Sequence, residues 1–69
     1  MAVATMTFGE RLKKLRKAAD LTQEQLARAA DITVAAVRNL EQTDAEPTWA
    51  TAKKLAAVLG VSLDDLAEG

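Results

Sequence analysis

Apolar residues recur along this chain at helical spacing, in short stripes separated by Thr, Asp, Gly and Pro. Phe8, Leu12, Leu15 and Ala19 stand four, three and four residues apart, which is one stripe of an amphipathic helix. Thr7 and Glu10 have the spacing of a capping box, in which hydroxyl and carboxylate each accept the other residue's backbone N–H. A first helix is therefore predicted over about Phe8 to Ala19. Asp20 and Leu21 make a turn, with Leu21 expected to be buried. Thr22 and Gln25 repeat the capping pattern, so a second helix should start at Gln23, with Leu26 and Ala30 on one face. Ala27 beside them is small enough for another helix to approach closely. Asp31 is expected to stop this helix. Ile32 anchors the turn, Thr33 caps, and Val37 and Leu40 give a third helix, about Val34 to Gln42, its own buried face.

Residues 43–47, TDAEP, read as a short polar loop ended by proline. Thr48 then caps a fourth helix with Trp49, Ala52, Leu55, Ala56 and Leu59 on one face, ending at Gly60. Trp49 is expected in the core because it continues that stripe three residues before Ala52. Ser62 caps a short fifth helix, with Leu63 and Leu66 inward and Asp64 and Asp65 favourably placed in its first turn. Residues 1–6 lack periodicity and are expected to be a flexible tail, leaving 7–69 as one domain. The fold class expected is all-α: no run of alternating β-branched residues is long enough for a strand.

Composition sharpens this picture in two respects. With one Phe, one Trp and no Tyr among 69 residues, the core has to be aliphatic. With no Cys and no His, disulfides, thiol chemistry and most transition-metal sites are excluded, and no cofactor is expected. The carboxylates fall on helix ends and surfaces without the pairing that acid/base catalysis uses, so an enzyme is not expected. No stretch approaches the roughly 18 apolar residues that span a bilayer, and residues 1–6 carry no basic signal-like region. A soluble, cytoplasmic protein without membrane contact is expected.

The formal charge is −1, but it is unevenly distributed. Residues 1–38 hold seven basic side chains against four acidic ones, whereas residues 39–69 hold two against six. A basic half suits a face turned toward phosphate, although a solvated lysine-rich helix would give the same count. Arg11, Lys13, Lys14 and Lys17 are expected on the outward face of the first helix. Arg16 differs, because it lies beside the apolar stripe, where an unpaired guanidinium is costly; it needs a partner.

The stretch TQEQLARAADITVAAVRNLE, residues 22–41, resembles the helix-turn-helix of the phage repressor and Cro (XRE-like) family. GERLKKLRKAADLTQEQLA and PTWATAKKLAAVLGVSLDDL are similar to the flanking parts of the same domain, so the resemblance covers nearly the whole chain. It implies a compact five-helix lambda-repressor-like domain whose third helix enters the DNA major groove. Thr33, Val34, Ala35, Arg38 and Asn39 then occupy the positions turned toward base edges. Arg38 could bridge guanine O6 and N7 or hold a phosphate, Asn39 could pair with adenine, and Val34 and Ala35 offer apolar contact to thymine methyls. The resemblance further implies phosphate contacts from Gln23, Thr22 and Thr43, and a structural Arg16–Glu41 bridge.

Two departures from the family pattern stand out. Asp31 replaces the usual left-handed glycine of the turn, so the resemblance implies a positive φ at Asp31, a region that Asp tolerates, and the loop after the third helix carries Asp44 and Glu46 where basic residues are common. Carboxylates near phosphate would weaken binding. The function expected is sequence-specific binding of double-stranded DNA by a small repressor or similar regulator, acting as a homodimer on a two-fold operator. The rival is a protein-interaction module on the same fold, docking a partner through Val34, Ala35 and the acidic loop.

Overall fold

A computed structural model of the protein describes residues 7–43 and 45–68, with side chains as far as Leu66. The expected tail at residues 1–6 and the loop carboxylate of Asp44 lie outside the described residues. Five helices follow one another: α1 (Phe8–Ala18), α2 (Gln23–Ala29), α3 (Val34–Gln42), α4 (Trp49–Leu59) and α5 (Leu63–Glu68). Each starts where a hydroxyl can take an orphan N–H of the first turn. Thr7 and Thr22 form full capping boxes with Glu10 and Gln25. The Thr33 and Thr48 hydroxyls accept from the N–H groups of Ala36 and Thr51, and that of Ser62 accepts from Asp65.

The ends of α1, α2 and α4 share one device. The first residue beyond the terminal turn is left-handed: Asp20 at φ 61°, Asp31 at φ 58° and Gly60 at φ 71°. The next residue, Leu21, Ile32 or Val61, donates its N–H back to the carbonyl of Arg16, Ala27 or Ala56 at 3.1, 2.9 and 3.1 Å. This is the Schellman arrangement, in which a backward bond satisfies a terminal carbonyl and an apolar residue folds onto the helix end. All three apolar residues are half-buried against the core. Leu21, expected to be buried, therefore only partly reaches it. The positive φ of Asp31 agrees with expectation; that of Asp20 was not foreseen, although Asp after a helical stripe was the available signal.

Each helix contributes one side chain with no exposure: Leu12, Leu26, Val37, Leu55 and Leu66. The core is thus wholly aliphatic, with Ala27, Ala30 and Ala56 filling the narrow places between helices. α1 and α2 both pack on α3, while α5 closes back onto α1 and α4. At Gly9 the backbones of α1 and α3 come close together. A β-carbon on Gly9 would collide with the Leu40 carbonyl oxygen and lie 3.0 Å from that of Glu41. Glycine is thus required here by space, in the first turn of α1, although its helix propensity is poor.

Three expectations need correction. Trp49 is 69% exposed and is not in the core. It is the first residue of α4, and helical side chains lean toward the N-terminus, so its indole projects beyond the end of the stripe that Ala52 and Leu55 bury. Arg11 is not on the outward face but only 9% exposed. It lies three residues after Phe8 and four before Leu15, on the flank of the α1 stripe that α5 covers, and its Nη1 donates to the Leu66 carbonyl at 3.2 Å. Ala19 falls just after α1 and is exposed, so the buried stripe ends one turn earlier than expected.

Two substitutions test these constraints. Gly9→Ala should lower stability by about 2 kcal/mol through overpacking against backbone, despite alanine's better helix propensity; a urea midpoint equal to wild type would show that α1 and α3 separate freely. Asp31→Gly should raise stability by up to about 1 kcal/mol, since glycine adopts φ 58° without β-carbon strain. A lower denaturant midpoint would mean that the Asp31 side chain holds the turn by its own interactions.

Candidate nucleic-acid interface

The α2–turn–α3 unit is built by the sequence in small steps. Leu26 and Ala27 of α2 bury one face, the left-handed Asp31 reverses the chain, and Ile32 pins the turn to the core. Thr33 then restarts the helix. Val37 and Leu40 of α3 face inward, leaving Ala35, Arg38, Asn39 and Gln42 exposed at spacings of three, one and three. Those spacings place the four on one outward strip. Thr33 is exposed at its head. Val34 sits apart from the strip: it is half-buried and packed against the core, so only part of its side chain is offered to a ligand. Gln42 was missed in the sequence, although it stands seven residues after Ala35; its amide could pair with adenine N6 and N7 as Asn39 could.

Behind this strip, three elements meet at a buried carboxylate. Arg16 of α1 donates from Nε to Glu41 Oε2 at 2.7 Å and from Nη2 to Oε1 at 3.1 Å, a bidentate pair with side chains 10% and 2% exposed. Arg16 Nη1 donates to the Leu21 carbonyl at 2.8 Å, tying the pair to the turn before α2. Gln23, the first residue of α2, donates from Nε2 to Glu41 Oε1 at 3.1 Å. One guanidinium and one carboxylate thereby fix the ends of α1, α2 and α3 relative to one another.

The residues expected near phosphate differ in what they have left to offer. The Thr22 hydroxyl accepts from Gln25 N–H at 3.0 Å, and an acceptor role leaves the hydroxyl proton available. Gln23 has given one N–H to Glu41 and retains a second. The Thr43 hydroxyl already donates to the Asn39 carbonyl at 2.8 Å and accepts from Ala45 N–H at 3.1 Å, closing the end of α3. For Thr43 to donate to a phosphate it would have to break that bond. Among the loop carboxylates, that of Glu46 is exposed. No group of His, Cys, Asp or Glu among the described residues could hold a metal ion, and none of the helices is long and apolar enough to cross a membrane.

Residues 12–66 match the family model HTH_3, helix-turn-helix. The chain belongs to the helix-turn-helix family. The prophage-derived HTH-type transcriptional regulator YonR of Bacillus subtilis is 42% identical over 62 residues, covering 90% of this chain and 57% of that protein. The chain spans about half the length of the curated relatives it matches. Among solved structures, the restriction-modification controller protein C.AhdI of Aeromonas hydrophila superimposes with TM-score 0.81 at 32% identity, over 86% of this chain and 89% of that one. The P22 c2 repressor bound to a synthetic operator superimposes with TM-score 0.87 at 28% identity, over 94% and 98% of the two chains. The helix-turn-helix fold here is that of the phage repressors, and α3, the second helix of its motif, carries the free outward strip.

Removing the charge at the centre of this arrangement measures its weight. Glu41→Gln keeps the shape but leaves the buried Arg16 guanidinium without a counter-charge, and should cost on the order of 3 kcal/mol. A thermal melt that coincides with wild type would mean that the pair is dispensable.

Proposed function

We propose that this domain binds double-stranded DNA sequence-specifically, laying α3 in the major groove, as part of a small transcriptional repressor or related regulator. The observation that carries the reading is the division of α3: Val37 and Leu40 lock one side into the core, while Arg38, Asn39 and Gln42 stand exposed on the other. A rigid helix with a polar outer strip is what base readout requires, because hydrogen bonds to base edges discriminate only when the donors are held in register. Thr33 and Ala35 lie on or at the head of that strip, and the half-buried Val34 borders it. Thr22 and Gln23 retain donors for phosphate, which positions the domain without reading sequence. Thr43 enters the same set only by exchanging its bond to the Asn39 carbonyl.

The protein partner implied by this reading is a second copy of the chain, on an operator with half-sites on the order of 34 Å apart. A regulator of this kind works in the cytoplasm, needs no cofactor and catalyses no reaction. Residues 7–69 act as one DNA-binding unit in it. The second reading, a protein-interaction module, is favoured by one observation beyond the apolar Val34 and Ala35: Trp49 is a large exposed apolar side chain, of a kind enriched in protein interfaces.

Selection from random duplex DNA at low salt decides between the two, with an enriched palindrome expected for the first and no enrichment for the second. On the selected operator, Arg38→Ala and Asn39→Ala should each reduce discrimination against a mismatched base pair by about 1–3 kcal/mol. Gln23→Ala should instead weaken matched and mismatched sites by the same factor. Equal losses on every sequence for all three variants would remove Arg38 and Asn39 from base readout.

A further inference from the structure

Glu41 is almost wholly buried, with 2% of its side chain exposed, yet its carboxylate touches a residue assigned above to the DNA contact. We infer that Glu41 is a positioning residue for phosphate binding: its buried carboxylate dictates which end of the Gln23 amide is held inside the domain and which polar hydrogen is left for DNA. This inference rests on the DNA-binding function proposed above.

An amide side chain has a donor end and an acceptor end of nearly equal size, so in neutral surroundings the two orientations compete closely. A carboxylate removes the ambiguity because it only accepts. With Gln23 Nε2 at 3.1 Å from Glu41 Oε1, turning the amide over would set two oxygens against each other at that distance. The carboxylate cannot swing away to relieve them, since Arg16 grips both of its oxygens, and Arg16 is in turn fixed by the Leu21 carbonyl. Nε2 therefore stays inward, one of its N–H groups engaged, and the second is the one polar hydrogen that this side chain has for a phosphate oxygen. A neutral amide at position 41 would lose this selectivity, because it can donate to Gln23 Oε1 as well as accept from Nε2. The charge of a buried residue thus reaches the DNA surface through the orientation of a neutral one.

A double-mutant cycle on duplex affinity tests this, using wild type, Glu41→Gln, Gln23→Ala and the double variant. All are measured at one salt concentration and at a temperature where circular dichroism shows every variant folded. Gln23→Ala should weaken binding about tenfold beside Glu41 and no more than about twofold beside Gln at position 41. Equal factors in the two backgrounds would overturn the inference, leaving Glu41 with a structural role only. So would a Gln23→Ala variant that binds like wild type. If Glu41→Gln does not fold, nitrogen-15 NMR of the wild-type chain gives the same decision. On adding duplex, one of the two Gln23 Nε2 protons should shift while the one bonded to Glu41 keeps its frequency; equal movement of both, or of neither, would overturn it. A wild-type chain that enriches no duplex from a random pool would refute the DNA-binding function itself, an outcome separate from all of these.

Discussion

The ion pair between Arg16 and Glu41 is where the geometry of this small domain is decided. Burying two charges is costly, and an isolated pair of this kind contributes little net stability compared with apolar replacements of the same volume. Its effect is to penalise every arrangement in which the partners are apart. Because Arg16 also bonds the Leu21 carbonyl and Glu41 also accepts from Gln23, the penalty applies to any displacement among α1, the turn before α2, and α3. The aliphatic core has no such directionality: Leu12, Leu26, Val37, Leu55 and Leu66 can be brought together by many sets of helix angles. Polar directionality and apolar burial therefore do different work, one choosing the arrangement and the other supplying most of its driving force.

Space and backbone conformation complete the constraint. Gly9 lets α1 come against the Leu40 and Glu41 carbonyls at the same end of α3 where the carboxylate meets Arg16. A larger residue there would push α1 away and lengthen the ion pair. The left-handed residues Asp20 and Asp31 allow the chain to turn tightly enough to present Leu21 and Ile32 to the core. Three features spread over the first forty-one residues thus serve one outcome, a third helix held firmly from behind with its other side clear.

Electrostatics on that clear side are modest. Arg38 is its one charged residue among the described positions of α3, and two of the basic side chains of the N-terminal half, Arg11 and Arg16, are turned inward to bond the Leu66 carbonyl and Glu41. The surplus of positive charge in residues 1–38 is therefore smaller at the surface than in the sequence. For a DNA-binding domain this shifts weight from long-range attraction of phosphate to short-range hydrogen bonds, whose geometry the buried pair controls.

The local events were legible in the sequence because each depends on residues within one turn of one another. Capping boxes at Thr7 and Thr22 and the starts of all five helices follow from side chains bonding their own neighbouring backbone. The Arg16–Glu41 partnership was different: the residues could say that Arg16 needed a counter-charge, but only resemblance to a family pointed to a residue 25 positions away. What tertiary structure alone decided were the places where one helix meets another. Arg11 is buried because α5 covers the flank of α1, Gly9 is indispensable because α3 crosses there, and the Gln23 amide faces inward because Glu41 arrives behind it. Trp49 is exposed because the core ends one turn short of it. Periodicity reports which face of a helix is apolar; how far a neighbouring helix extends along that face is set by packing between distant segments, which no single stretch of sequence contains.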